Sequence, residues 1–343
     1  MVGTASVATR SGGAKSKRSI FGYEVLDFIG EGAGSQIYLV AEPASGQVYA
    51  LKYVVRKQEK DLRFFEQLRN EFEVGQSFSN QALRKSVHYR DNRSMLRGPS
   101  EGMLLMELFD GTPLERMKAP LCIDTALRIF LQVARGLEAL HAGGFVHCDL
   151  KPNNILVASA GTVKIIDFGQ ACKIGSIKER IQGTADYIAP EQVKCEPITA
   201  RTDVFNFGAT LYWALVGKTI PTLFTVKRGA NSFLLDQAIP SPRDVNAQVP
   251  ESLSKLVMEC VRTNPAKRPE KMSEVALRLE IAQHLLNRQS NPRASFPGEE
   301  EQDHADPQAP AGDPADFADL NLDDVALDAD PAHPDLDSPP PVR

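Results

Sequence analysis

Cysteine and tryptophan are scarce in this sequence. Its 343 residues include five cysteines and one tryptophan. An odd number of cysteines without paired spacing argues against the disulfide framework or zinc site that stabilises many small secreted domains. Since 42% of the residues are hydrophobic, we expect a protein that folds around its own apolar core. The cysteine usage favours a reducing, cytoplasmic location.

Long hydrophobic runs are also absent. The longest, residues 207–216, is too short to cross a bilayer and is typical of a buried helix. The first 18 residues are rich in Ser, Gly and Ala but lack the apolar core of a signal peptide. These features predict a flexible arm over residues 1–20 and no membrane partner.

Basic residues nearly disappear toward the carboxyl end. Between residues 291 and 343, two basic residues stand against fourteen acidic ones, and ten prolines interrupt the stretch. This composition predicts a disordered, acidic, proline-rich tail, which we place at 289–343. The preceding residues include 37 basic and 30 acidic side chains, so they are mildly basic although the whole chain carries a net charge of −5.

Two interpretations of this tail remain open. A solvated, solubilising tail is favoured, because acidic blocks usually interact only loosely. Residues 316–327 mix acidic with apolar side chains, and such a segment would also suit docking onto a basic groove of the same chain or of a partner. We expect no nucleic-acid partner.

Residues 147–154, His-Cys-Asp-Leu-Lys-Pro-Asn-Asn, carry the strongest chemical signal and are followed by Asp-Phe-Gly at 167–169. Asp149 is placed to accept a hydroxyl proton, and Lys151 to screen a transferring phosphate. Asn154 and Asp167 offer the oxygen ligands that Mg²⁺ prefers. The combination predicts phosphoryl transfer.

The alternative is that these residues form ordinary turns, in which Asp, Asn and Gly are common. The context argues against it. Short apolar runs at 155–157 and 163–166 surround a turn at 160–161, a pattern that predicts a hairpin with each motif in the loop at one end.

A glycine-rich segment precedes these motifs. Gly30, Gly32 and Gly34 lie between two apolar runs, and glycines let backbone N–H groups approach phosphates. An alternating strand at 48–52 follows and contains Lys52. A lone lysine on a strand is usually a solvated surface residue, but its place in this order favours contact with a phosphate.

Together with Ala-Pro-Glu at 189–191, these motifs resemble those of eukaryotic-like (Hanks-type) serine/threonine protein kinases, here a soluble member of bacterial type. The resemblance covers about residues 20–285. It implies an α+β bilobal fold over 21–288: a small β-rich N-lobe with one main helix at 21–108, and a larger, mostly α-helical C-lobe at 110–288. It also implies ATP and Mg²⁺ as cofactors and a protein substrate.

The resemblance also assigns residues around the nucleotide. Lys52 is expected to pair with a glutamate on the helix predicted at 62–78, and Glu71 fits that position better than Glu66 or Glu73. Met106 would border the back of the adenine pocket. The backbone of Glu107 and Phe109 would bind the adenine edge, while four apolar residues would line the ring or serve equally as core: Ile29, Ile37, Ala50 and Leu156.

Two structural roles follow from the same resemblance. Asp203, an acid on the apolar helix, would hold the catalytic loop, because a buried carboxylate is costly unless it is hydrogen-bonded. Arg268 would pair with Glu191.

The sequence departs from the family at three places. Cys148 replaces the arginine that usually precedes the catalytic aspartate, and a thiol cannot form that arginine's charge-assisted phosphate contacts. We therefore expect the activity to depend less on phosphorylation of the activation segment, which lies between Asp167 and Glu191. Gly34 and Ser35 replace an aromatic residue and a glycine that are common in the loop. Cys172 follows the Asp-Phe-Gly motif, where packing is the favoured interpretation and a redox role the alternative.

Lys151 and the Gly183-Thr184 pair match the family's serine/threonine members and predict that type of acceptor. Thr184 is expected to hydrogen-bond near Asp149. Two other functions fit this sequence less well. A pseudokinase would have no need of the complete set of polar residues, and small-molecule kinases generally lack the Lys-Pro pair at 151–152 and the Ala-Pro-Glu motif.

Overall fold

The computed structural model describes residues 18–32, 34–94, 98–226 and 232–290, with side chains described up to residue 288 except at 232–233. Most of the predicted arm and the predicted acidic tail, including its 316–327 segment, lie outside these residues. Within the described part of the chain, no helix has the length and apolarity needed to span a membrane.

An antiparallel sheet forms the first part of the fold. Its strands are β1 (Ser19–Ile20), β2 (Tyr23–Gly32), β3 (Ser35–Ala41), β4 (Val48–Val55), β5 (Ser86–Asp91) and β6 (Glu101–Glu107). They pair in the order β1-β2-β3-β4-β6-β5. Successive side chains of a strand point to opposite faces, so Ala50 and Leu51 of β4 enter two separate apolar clusters. The central strands are therefore buried on both faces.

One helix, α1 (Leu62–Gln76), packs against this sheet. Its buried positions recur at helical spacing and form one stripe: Phe65, Leu68, Glu71, Val74 and Gly75. The helix ends two residues before the predicted boundary. Its last turn is closed by Ser77, whose backbone N–H donates to the Val74 carbonyl and whose hydroxyl donates to the Glu73 carbonyl.

The second part of the fold is mainly helical, with helices α2 (Ile123–Ala142), α3 (Pro190–Val193), α4 (Ala200–Val216), α5 (Ser232–Ala238), α6 (Pro242–Val245), α7 (Glu251–Cys260) and α8 (Met272–Ser290). Helix α4 is buried almost all round, as its apolar sequence predicts. Phe207 of α4 meets Phe130 of α2 edge to face, with ring centroids 5.4 Å apart. The predicted α+β architecture, a β-rich part followed by a helical part, is confirmed.

Short strands hold the two chemical motifs at the boundary of the helical part. These are β7 (Thr112–Pro113), β8 (Phe145–Val146), β9 (Ile155–Val157), β10 (Val163–Ile165) and β11 (Cys172–Lys173). The predicted hairpin is present as β9 and β10, with Ile155 opposite Ile165. Strand β11 pairs with β8 and places Cys172 opposite Val146. Because both pairs are antiparallel, the loops at 147–154 and 166–171 lie side by side.

An ion pair buried in the helical part joins distant segments. Arg268 uses all five of its N–H donors: two on the carboxylate of Glu191 at 2.7 and 2.9 Å, and the others on the carbonyls of Arg201, Arg262 and Thr263. This confirms the pairing predicted for Arg268 and Glu191. The side chains are 0% and 4% exposed, so neither charge is solvated by water.

We expect Arg268→Met to destabilise the fold by about 3–5 kcal/mol, because it leaves the Glu191 carboxylate buried without a partner. Urea unfolding followed by circular dichroism measures this loss. Lys255→Met is the matched control, since its pair with Glu251 lies on the surface and should contribute little. Equal stability of the two variants would contradict the structural role of Arg268.

Candidate active site

The loop at 147–154 is held by a buried carboxylate on α4. Asp203 accepts hydrogen bonds from the backbone N–H groups of His147 and Cys148, at 2.8 and 2.9 Å, and from His141 Nε2 at 2.8 Å. Burial by itself would raise the pKa of Asp203, but the hydrogen bond from His141 and the nearby imidazoles lower it below its ordinary value. Asp203 therefore stays ionised and fixes the loop, as predicted.

His147 links the two motif loops. Its Nδ1 accepts from the Asp149 backbone N–H at 3.2 Å, so Nε2 carries the proton that is donated to the Ile166 carbonyl at 3.1 Å. The imidazole also meets the ring of Phe168 edge to face. The side chain of His147 thus binds both loops, the one that carries Asp149 and the one that carries Asp167.

Asp149, Lys151 and Thr184 form a closed triangle of hydrogen bonds. Lys151 Nζ donates to Asp149 Oδ2 at 2.9 Å and to Thr184 Oγ1 at 2.7 Å, and the Thr184 hydroxyl donates to Asp149 Oδ1 at 2.8 Å. Thr184 therefore lies where the sequence predicts. The Asp149 residue is 6% exposed, so its carboxylate is oriented by these partners rather than by bulk water.

Asn154 and Asp167 present oxygen atoms beside this triangle. Asn154 Nδ2 donates to the Asp149 carbonyl at 2.8 Å. This contact directs the amide nitrogen into the loop and leaves the amide oxygen, Oδ1, available as a metal ligand. Asp167 has a positive φ of 68°, a conformation that costs a non-glycine residue energy and is typical of functional sites. Its side chain is 41% exposed.

A chain of charges runs from the half-exposed Asp167 to the buried Glu71 on α1. Lys52 Nζ lies 3.1 Å from Asp167 Oδ1 and 2.6 Å from Glu71 Oε2, while Arg84 Nη2 lies 3.2 Å from Glu71 Oε1. Glu71 is 1% exposed, and Glu66 and Glu73 lie on the exposed face of the helix. Glu71 is therefore the glutamate that pairs with Lys52. Sequence reasoning missed Arg84.

These pairings determine the charge states. Burial would lower the pKa of Lys52, but the carboxylates of Asp167 and Glu71 raise it above its usual range. Burial would likewise raise the pKa of Asp167, but the ammonium of Lys52 lowers it well below its usual range. Both groups are therefore charged at neutral pH.

A further residue missed from the sequence, Asn70, ties α1 to the segment after Asp167. Its Nδ2 lies within hydrogen-bonding distance of three backbone carbonyls: Phe168 at 3.0 Å, Gly169 at 3.3 Å and Ala171 at 2.8 Å. Asn70 directly precedes Glu71 in the helix. The same turn of α1 thus carries Glu71, the partner of Lys52, and Asn70, which acts as a clamp by binding the backbone after Asp167.

The glycine-rich segment lies at the turn between β2 and β3, where Gly30 pairs with Ile37 and Gly32 with Ser35. Gly34 is required there for two reasons. Its φ is +79°, and a Cβ atom at this position would lie 2.4 Å from the ring of Phe64. A side chain at Gly34 would therefore strain the loop and require the Phe64 ring, or the helix that carries it, to move.

The apolar residues predicted around a nucleotide separate into two groups. Ala50 and Met106 are buried together in the cluster between the sheet and α1. Ile29 is 51% exposed, and Ile37 and Leu156 are partly exposed. These three are therefore not ordinary core residues, and exposed apolar side chains at this position suit a pocket wall.

The segment after β6 is anchored by a side chain. Glu107 Oε1 accepts from Lys164 Nζ at 2.6 Å and from the Lys85 backbone N–H at 2.7 Å. Its carboxylate is thus occupied by the protein, as is its backbone N–H, which donates to the Lys85 carbonyl at 3.1 Å. Phe109 follows two residues later and is partly buried.

Comparison with known proteins agrees with this geometry. The family model for the protein kinase domain matches residues 23–285. The chain belongs to the protein kinase family. The kinase domain thus accounts for most of the described residues and contains all the side chains discussed above.

Curated relatives include several bacterial kinases. A probable serine/threonine-protein kinase of Clostridium perfringens is 29% identical over 74% of this chain and 37% of its own length. The serine/threonine-protein kinase PknA of Mycobacterium tuberculosis is 29% identical over 72% and 58%. A serine/threonine/tyrosine-protein kinase of Arabidopsis thaliana is 34% identical over 52% and 44%. The chain spans between about a third and three fifths of the length of these relatives.

We expect Asn70→Ala to loosen the segment after Asp167, because three carbonyls lose their shared donor. Amide hydrogen exchange measured by mass spectrometry should become faster in residues 168–173, with the rest of the helical part unchanged. Glu73→Gln is the matched control on the same helix, since the pair of Glu73 with Arg69 is exposed. Unchanged exchange in Asn70→Ala would show that the clamp contributes nothing to the order of this segment.

Proposed function

We propose that this protein transfers the γ-phosphoryl group of ATP to serine or threonine hydroxyls of protein substrates. The observation that carries the proposal is that His147 links the loop of the Asp149, Lys151 and Thr184 triangle to the loop that leads into the charged chain of Asp167, Lys52 and Glu71. A proton acceptor, oxygen ligands for a metal and a fixed cation together meet the requirements of phosphoryl transfer.

The donor set of the site fits Mg²⁺. Asn154 contributes an amide oxygen, and Asp167 a carboxylate that keeps its charge beside Lys52. Hard oxygen ligands of this kind, few in number, suit a cation that is shared with substrate phosphates. When bound, Mg²⁺ would neutralise the charge of the ATP phosphates.

The protein's own groups supply the remaining steps. Asp149 would accept the proton of the acceptor hydroxyl, and Lys151, held 2.9 Å from it, would screen the charge on the transferring phosphoryl group. Lys52 would contact the phosphates at an orientation fixed by Glu71. In such a mechanism the rate enhancement comes mainly from positioning and charge neutralisation.

The base of ATP would lie between the sheet and the helical part. Ile29, Ile37 and Leu156 would cover the ring together with Ala50, and Met106 would limit the depth of the pocket. The backbone of Glu107 and Phe109 would bind the adenine edge, while Gly30, Gly32 and Gly34 would let the loop close over the phosphates.

The serine/threonine specificity rests on the Lys151 contact with Thr184 at 2.7 Å. This contact fixes the activation segment against the proton acceptor, as expected from the residues at these two positions. The names of the relatives, most of them serine/threonine-protein kinases, support the same acceptor class.

The test is transfer of radiolabel from ATP and Mg²⁺ to a generic basic protein. Asp149→Asn should lower the rate by about a thousandfold, since it removes the proton acceptor while it keeps the shape of the side chain. Asp124→Asn is the matched control on α2, where Asp124 pairs with Arg128 on the surface. Replacing Mg²⁺ by EDTA should abolish transfer.

Other outcomes would contradict the proposal. If the wild-type chain binds nucleotide but transfers nothing, a binding protein without chemistry is favoured. If it phosphorylates an aminoglycoside or choline instead, the acceptor class is wrong. A chain ending at Gln289, assayed in parallel, identifies inhibition by the acidic tail, because truncation would then restore transfer.

We expect activity to survive phosphatase treatment. Cys148 has no charge with which to bind a phosphate, and the activation segment is instead attached through Thr184 and through Gln192, whose Nε2 donates to the Cys148 carbonyl at 2.7 Å. The measurement is the transfer rate before and after dephosphorylation, with phosphate loss verified by mass spectrometry. A loss of most of the activity would contradict this expectation.

A further inference from the structure

Two thiols face each other at the start of the catalytic loop. The sulfur atoms of Cys148 and Cys172 are 3.5 Å apart. Cys148 is buried, whereas Cys172 is partly exposed. The pair therefore combines one thiol that a small solute can reach with a second that is protected behind it.

The backbone fixes both cysteines. Strand pairing places Cys172 opposite Val146, two residues before Cys148. Cys148 is held through its N–H by Asp203 and through its carbonyl by Gln192. A disulfide has a sulfur–sulfur distance of about 2.05 Å, so the sulfurs need to approach by roughly 1.5 Å. Rotation of the two side chains is the movement that would bring the sulfurs together.

The charges around the pair favour a thiolate on the reachable cysteine. A hydrogen bond from Cys148 lowers the pKa of Cys172 to about 7, although burial opposes this, and Lys178 and Ser176 act in the same direction as the hydrogen bond. The carboxylate of Asp203 acts against it. The pKa of Cys148 is raised by its hydrogen bond to Cys172 and by burial. Cys148 is thus the cysteine of the pair that keeps its proton.

We propose that Cys148 and Cys172 form a redox-modification site, which a hydroperoxide converts into an intramolecular disulfide. The Cys172 thiolate attacks the peroxide, so that an S–O bond forms, the O–O bond breaks and the leaving oxygen takes up a proton. The Cys148 sulfur then attacks Cys172. The S–S bond forms, the S–O bond breaks, and the leaving hydroxide combines with the Cys148 proton as water.

The disulfide would join the two loops that carry the chemistry. Cys148 directly precedes Asp149, and Cys172 lies five residues after Asp167. The bond would close a loop that contains the β9–β10 hairpin, and a cross-link of this length stabilises by restricting the unfolded chain. Relatives with arginine at position 148 have no such option, so the departure from the family pattern acquires a chemical role.

Peptide mass spectrometry tests the proposal directly. The full chain is reduced, freed of reductant and treated with hydrogen peroxide, and remaining thiols are then alkylated. Trypsin should release residues 136–164 and 165–173 as separate peptides, each with one of the two cysteines, because the Lys151–Pro152 bond resists cleavage. We expect these peptides to become linked at low peroxide, with the mass loss of two hydrogens.

A variant that lacks Cys122 and Cys195, Cys122→Ser/Cys195→Ser, is the matched control and should form the same link, since it keeps the pair. Cys172→Ser should leave Cys148 reduced. The wild-type chain should also unfold at a temperature higher by about 5 °C after oxidation, reversibly with dithiothreitol, whereas Cys172→Ser should show no such rise.

Two results would overturn the proposal. The first is independent oxidation of Cys172 to a sulfinic acid with no linked peptide. The second is a link that occurs only between two copies of the chain. These readouts use mass and melting temperature, so they are independent of whether the protein transfers phosphate.

Discussion

The buried carboxylate of Asp203 is the interaction on which the site depends. The loop that carries Asp149 has little regular structure, and Cys148 takes a positive φ of 68°. Such a conformation persists only when surrounding contacts impose it. Asp203 supplies them from a helix that is buried almost all round, and it accepts three hydrogen bonds that balance its own desolvation. The position of the proton acceptor is thus set by the helical core.

The second half of the site is positioned differently. Lys52 lies on the sheet, and its partner Glu71 lies on the one helix that packs against the sheet. Glu71 occupies a place in the apolar stripe of α1, so it is buried by the same packing that fixes the helix. Arg84 and Lys52 neutralise it from both sides. An intact ion pair is therefore evidence that the helix is docked.

Much of this arrangement was predictable from sequence. The order of the motifs predicted the bilobal α+β fold, and short apolar runs predicted the hairpin between the motifs, because strand periodicity is a local signal. The pairing of Glu71 depended on the family resemblance, yet its place between Leu68 and Val74 also marks it as buried. A carboxylate within an apolar stripe was the available signal for this residue.

Other features had no sequence signal. Asn70 and Glu107 bind backbone groups, and a carbonyl or N–H belongs to every residue, so no pattern of side chains identifies their partners. The proximity of Cys148 and Cys172 depends on the register between two strands of two residues each, far too short for a periodicity to be recognised. Both kinds of contact become visible only once the chain is folded.

The close approach of Gly34 to Phe64 has a mechanical consequence. The ring of Phe64, on the first turn of α1, occupies the space that a side chain at position 34 would need, so the packing of this helix limits which residues the loop tolerates. The same helix carries Glu71 and Asn70, which reach Lys52 and the segment after Asp167. A residue larger than glycine at position 34 would therefore press on the helix that holds the charged chain.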